Sequence, residues 1–304
     1  MTGVTADHAD AGRLMRRATY ASVATATILI FVKVGAFLAT DSVALLSTLL
    51  DSLLDAAASL VNLVAVRQAL APPDREHRFG HGKAEPLAAL VQSAFIAGSA
   101  ALLLVEVGNR LVNPQPVQNT ALGIGVMLFA IAVTLLLVLY QRHVIRRTNS
   151  VAIRADSLHY VGDLLVNGSV VVALLLSVEL GSPLIDPLFG AGIAIYIVYT
   201  AWQITRGALD MLMDRELPEA DRQRLRAIAL ANPAVHQVHD LRTRTSGPIS
   251  FIQLHLEMDG QMTLEQAHAV ADAVEAEIVA AYPGAEVIIH EDPAGVPEKR
   301  ARFA

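Results

Sequence analysis

The chain has 304 residues, no cysteine and a formal net charge of −6, with all of that excess in residues 212–304, where 15 acidic side chains face 9 basic ones. Hydrophobic residues make up 54% and charged residues only 17%, at a mean hydropathy of +0.47, which excludes an ordinary soluble domain and indicates an integral membrane protein with a soluble part. The acidic tail argues against nucleic acid as a partner, and without thiolates any metal must be held by His, Asp, Glu, backbone or water.

Met1–Arg17 is polar, and the apolar stretch after it is too long for the core of a cleaved signal, so it is expected to stay as a membrane helix. Six segments reach the ~20 apolar residues that a spanning helix needs. They are Ala18–Thr40, Val43–Val66, Pro86–Gly108, Thr120–Gln141, Ser157–Leu180 and Pro183–Thr205. Arg13, Arg16 and Arg17 precede the first, Arg67 to Lys83 follow the second, and Arg142 to Arg154 follow the fourth. The opposite connections carry almost no Lys or Arg, so both termini are expected in the cytoplasm.

Two of the apolar runs carry charge where lipid should be. Asp51 and Asp55 stand four apart in the second, and His159 and Asp163 four apart in the fifth. A carboxylate at mid-bilayer costs about 2.5–3.5 kcal/mol on insertion scales, and residues four apart share one helix face. Three carboxylates and an imidazole facing one another suit a tetrahedral divalent metal. Leu158, beside His159, is a candidate apolar gate, with a plain packing role the equally economical account. Lys33, Asn62, Glu106 and Glu179 also interrupt the runs, and snorkelling accounts for those near an end.

Between the second and third segments, Asp74, His77 and His81 can converge on one ion if the loop folds back; the alternative is a solvated loop against lipid headgroups. Beyond residue 212 the pattern becomes that of a small α/β module of order αββαβ. A helix is expected over Pro218–Ala231 and a strand over Val235–Thr245. Ser246-Gly247-Pro248 then turns into a second strand, Ile249–Met258, with Ile252, Leu254, Leu256 and Met258 on one face. Thr263 and Gln266 form a capping box for a helix to about Tyr282, whose buried stripe is Ala267, Val270, Val274, Ile278 and Ala281, and Glu286–His290 closes the sheet. Pairing Thr245 with Ile249 sets His239 opposite His255, unless a bulge intervenes. His290 and Asp292 share a face if the last strand reaches that far, and His268 on the helix must reach over an edge.

The strings LLSTLLDSLLD (45–55), FGHGKAEPLAAL (79–90), ADSLHYVGD (155–163) and HDLRTRTSGP (239–248) resemble those of the cation diffusion facilitators, most closely the bacterial zinc and ferrous-iron efflux branch. The resemblance runs over nearly the whole chain. It implies a homodimeric, proton-coupled antiporter in the cell inner membrane, exporting divalent metal, with a six-helix transport domain (1–211) and a ferredoxin-like cytoplasmic metal-binding domain (212–304). It places the transport site on Asp51, Asp55, His159 and Asp163, and a second site on Asp74, His77 and His81. It implies a two-metal cytoplasmic site from His239, His255, His268, His290 and Asp292, and a Lys83–Asp214 salt bridge across the dimer. Zinc is the first expectation for both transported and regulatory ion, with cadmium, iron(II) and manganese compatible with the ligands. A membrane-bound metal sensor without transport, and an intramembrane hydrolase, are the other classes weighed; the chain lacks HExxH and any nucleophile visibly paired with a base.

Overall fold

The computed structural model describes residues 2–40, 43–112, 121–180 and 185–296. Six long helices come first: α1 (Thr2–Thr40), α2 (Val43–Ala69), α3 (Ala84–Val112), α4 (Ala121–Thr148), α5 (Val151–Leu180) and α6 (Ile185–Leu212). Then follow α7 (Glu219–Leu230), β1 (Gln237–Ser246), β2 (Ile249–Met258), α8 (Leu264–Ala281) and β3 (Glu286–Pro293). The chain divides into two compact units, Ala11–Leu209 and Asp210–Ala304 with Met1–Asp10. The span ends expected at Thr120 and Pro183, and the side chain of Glu179, lie outside the described residues.

Within the described residues each expected apolar segment is a helix, and the helices overrun the apolar runs. α1 begins at Thr2, α5 at Val151, and α4 continues to Thr148 with Arg146 and Arg147 in its last turn, where cations favour the negative end of the helix dipole. Among the described residues, α1, α2, α3, α4 and α6 each hold a stretch long and apolar enough to cross a membrane. α5 carries the buried Asp156 and His159.

The packing of this unit has the pattern of a membrane bundle. Small side chains face inward: Ala89, Ala100, Ala155, Ala201 and Ala208 join Ile96, Ile197 and Ile204 where α3, α5 and α6 meet. Large apolar ones face outward, among them Leu38, Val64, Leu102, Leu136, Ile195 and Trp202. Lipid supplies no hydrophobic force between helices, so close contact through small residues and buried hydrogen bonds hold them together. Such bonds join α1, α2, α4 and α5. Asp156 Oδ2 accepts from Ser22 Oγ (2.6 Å, α1) and Gln141 Nε2 (2.7 Å, α4), and Tyr160 Oη lies 2.9 Å from Ser59 Oγ on α2.

In the other unit the sheet order is β1-β2-β3, with β1 antiparallel and β3 parallel to β2. Ile252, Leu254, Leu256 and Met258 of β2 are all buried and form a core with Leu225 and Ala229 of α7 and Val274 and Ile278 of α8. Ala271 belongs to the buried stripe of α8, with Ala267 and Val270 only partly buried. The capping box is present: Thr263 Oγ1 accepts from the Gln266 backbone N–H, and Gln266 Oε1 accepts from the Thr263 backbone N–H. The strand β3 continues to Pro293, three residues beyond the expected end, and so includes Asp292.

The hairpin corrects the expected register by one residue. Ser246 pairs with Ile249 and Thr245 with Ser250, so the loop is only Gly247-Pro248, with Gly247 at φ 59°. A two-residue loop with glycine first is the type II′ arrangement, whose twist matches the strands. Further along, Asp240 and Leu241 together oppose Leu254, a bulge with Asp240 at φ 44°. The bulge returns the residue lost at the turn, and His239 stands opposite His255 after all. We expect Thr263→Ala to cost about 1 kcal/mol and lower the unfolding midpoint of this unit, with Thr263→Ser close to wild type; calorimetry on the full chain reads both.

Candidate metal centres

α2 and α5 pack against each other and bring three of the four expected membrane residues together. His159 Nε2 lies 2.9 Å from Asp55 Oδ1 and 3.9 Å from Asp163 Oδ2, with the imidazole only 6% exposed. One ligand atom from each of the three falls within 4.8 Å of the others. Asp51, the fourth expected residue, stays outside that cluster and exposed, and lines the same cavity of about 310 Å³. Four residues of rise amount to about 6 Å on either helix; His159 and Asp163 span it with their side chains at 3.9 Å, whereas on α2 it is Asp55 that His159 meets.

The cavity brings in further polar residues. Lys33 of α1 lines it, as do Glu106 of α3 and Asn167 of α5, one turn past Asp163. Asp156, three residues before His159, is fully buried and was not singled out; its own signal is a carboxylate in the first turns of an otherwise apolar helix. Leu158 packs with the α3–α5–α6 cluster and does not line the cavity, which favours the plain packing account over a gate.

The loop before α3 folds back as its composition allows. Asp74 Oδ1 accepts the backbone N–H groups of Glu76 (2.9 Å) and His77 (2.6 Å), an Asx turn that fixes the carboxylate before any ion arrives. Those backbone donors, His77's foremost, hold the Asp74 carboxyl below the usual carboxylate range. Both imidazoles come to it at 3.3 Å, His77 Nδ1 at Oδ1 and His81 Nε2 at Oδ2, and their ring centroids are 4.7 Å apart. All three expected residues therefore meet.

The third centre lies on β1, β2 and β3. Asp292, 3% exposed, holds one oxygen 2.8 Å from His255 Nδ1 and 3.4 Å from His239 Nε2, and the other 3.0 Å from His290 Nε2. A carboxylate with imidazoles at both oxygens is arranged to bridge two ions. The pairing rules explain the convergence, since His239 faces His255 across β1–β2 and His255 faces His290 across β2–β3. Two acidic groups join unannounced: Glu257 Oε1 at 3.4 Å from His239 Nε2, and Asp240, which the bulge turns towards His239 (3.7 Å). His268, also expected at this centre, stays apart from it within the chain. It is 69% exposed on α8 and paired with Asp272 at 3.6 Å, because α8 covers the face of Leu254 and Leu256 and not that of His255. Asp214 pairs with Arg244 at 3.6 Å within this unit.

Comparison with known proteins gives a consistent picture. Residues 19–213 match the model of the cation efflux transmembrane domain, and residues 217–294 that of the cation efflux protein cytoplasmic domain. The cation-efflux pump FieF of Salmonella choleraesuis is 49% identical over 291 residues, 96% of this chain and 97% of that protein. FieF of Salmonella typhimurium gives the same figures. Among solved structures, the metal-bound C-terminal domain of the CzcD transporter from Thermotoga maritima is 28% identical over 27% of this chain and 100% of that one, at a TM-score of 0.25.

Replacing Asp74 by Asn keeps the acceptor of the Asx turn and removes the charge. We expect Asp74→Asn to lose the loop ion in a zinc titration while thermal stability stays within error of wild type. Asp292→Ala should weaken zinc binding at the cytoplasmic cluster by roughly tenfold or more, read by the same titration.

Proposed function

The chain belongs to the cation efflux, or cation diffusion facilitator, family of multi-pass membrane transporters, and we propose that it exports divalent metal from the cytoplasm in exchange for protons. The observation that carries this reading is the meeting of Asp55 with His159 and Asp163 in the middle of two apolar helices, beside a cavity that Asp51 also lines. Bringing ionisable groups to that depth is costly, and a bound dication compensates for it.

Coupling follows from the ligand chemistry. Mutually repelling carboxylates in an empty, buried site hold protons, whereas a dication requires them ionised, so metal entry expels protons and metal exit lets them return. Exposing the site alternately to the two sides converts that competition into antiport. One imidazole with three carboxylates suits a four-coordinate ion, and zinc satisfies it most naturally; cadmium and iron(II) are the next candidates. We place residues 1–211 as the transport domain and 212–304 as a cytoplasmic metal-binding domain, in an inner membrane with both termini inside, as the Arg and Lys distribution supports.

The assembly we propose is a homodimer, with Lys83 and Asp214 of opposite protomers as its pivot. The cytoplasmic clusters bind regulatory metal. His268, exposed and apart from the cluster of its own chain, is available to a neighbouring protomer, so metal there draws the two cytoplasmic domains together.

In proteoliposomes with a pH gradient, the wild-type chain should move zinc, and Asp55→Ala and Asp163→Ala should abolish that flux while remaining folded dimers. Zinc-dependent proton movement retained by both variants would refute the assignment; absence of flux in the wild type, with metal still bound by the cytoplasmic clusters, would favour a sensor. Separately, the distance between the two cytoplasmic domains, measured by spin labels, should shorten on metal loading; equal distances with chelator and with zinc would contradict the regulatory role.

A further inference from the structure

Lys33 is an ammonium group within the apolar length of α1, and neither the family motifs nor the ligand set accounts for it. Its Nζ donates to the Thr48 carbonyl at 2.9 Å and to Ser52 Oγ at 2.6 Å, both on α2. Asp51 and Asp55 belong to the same stretch of α2, and Lys33 lines the cavity with them and with His159 and Asp163. Snorkelling explains a Lys that reaches away from the bundle to a headgroup. This one is tied inward, and by neutral groups. A lysine tied to a carboxylate would block the site; one tied to a carbonyl and a hydroxyl keeps its charge nearby and leaves the ligands free.

Charge balance gives the arrangement a use. In a site of low dielectric, uncompensated charge is expensive, and a dication feels every fixed charge around it. Asp51, Asp55, Asp163 and Glu106 line this cavity against one ammonium, so an entering dication meets an excess of negative charge that Lys33 reduces. Without the ammonium that excess grows and the ion is held more tightly.

We propose that Lys33 is the counter-charge of the transport site: held at the cavity by Thr48 and Ser52, it offsets one of the carboxylates there and keeps dication binding loose enough for release. The role rests on the reading of this cavity as the transport site. Lys33 is a specificity and affinity determinant here, acting through the field and not as a ligand.

The test uses the full-length protein, with the zinc dissociation constant at the membrane site taken as the difference between each protein and its Asp163→Ala counterpart. Lys33→Gln keeps a donor for Thr48 and Ser52 and drops the charge; Lys33→Arg keeps the charge. Lys33→Gln should bind zinc about tenfold more tightly or better and transport it more slowly, and Lys33→Arg should restore the wild-type constant. The wild type should bind one Asp163-dependent zinc per protomer at saturation. A folded Lys33→Gln dimer with unchanged or weaker binding overturns the inference, as does Lys33→Arg behaving like Lys33→Gln. No Asp163-dependent zinc in the wild type would overturn the transport-site reading and this role together, whereas the other outcomes touch only Lys33.

Discussion

The contact on which the membrane unit depends is His159 against Asp55, 2.9 Å apart where α5 crosses α2. Neither group is tolerable alone at that depth. Together, and with Asp163 one turn further along α5, they form a polar locus that fixes which faces of the two helices meet. Beside it Tyr160 bonds to Ser59 of α2, and Asp156 joins α5 to α1 and α4 through Ser22 and Gln141. The bundle around these bonds is built from alanines that let the helices approach, so polar contacts set its register and small residues its closeness.

The soluble unit solves a related problem by other means. Here one face of the sheet is sealed by α7 and α8 over Ile252, Leu254 and Leu256, which leaves the other face for His239, His255 and His290. Asp292 lies nearly buried among them, with both oxygens engaged. In the membrane the carboxylates and the imidazole face each other across helices; in the sheet the imidazoles stand side by side on three strands and a single carboxylate joins them. The loop centre is a third solution, with Asp74 held by its own backbone before the imidazoles close on it.

Much of this could be read from the residues. The six apolar runs, the alternation in β2 and the Thr263–Gln266 box are local signals, and local physics decides them. Spacing also announced the facing pairs on α2 and α5, since a four-residue period on a helix is a geometric fact. What escaped needed the third dimension. Asp51 shares a face with Asp55 yet stands about 6 Å further along the axis, and no spacing shows how far up that axis α5 crosses. The hairpin register failed at the turn, because Ser246 can pair with Ile249 around Gly247-Pro248 as readily as a longer loop can form. It was right at His239 only because the Asp240 bulge compensates, and Asp240 carries no sequence mark of that role. His268 was legible as a histidine on a helix surface but not as one on the wrong side of the sheet. Lys33 looked like a residue reaching for the headgroups until its hydrogen bonds to α2 showed it held towards the cavity.

The most direct test of the central claim is to locate bound zinc in the full-length dimer by its anomalous scattering or in a metal-loaded density map. The account predicts an ion in each protomer between Asp55, His159 and Asp163, with ligand distances near the ~2.0–2.2 Å expected of zinc with nitrogen and oxygen donors. Metal confined to the loop and the cytoplasmic sheet, with α2 and α5 unoccupied between those three side chains, would contradict it.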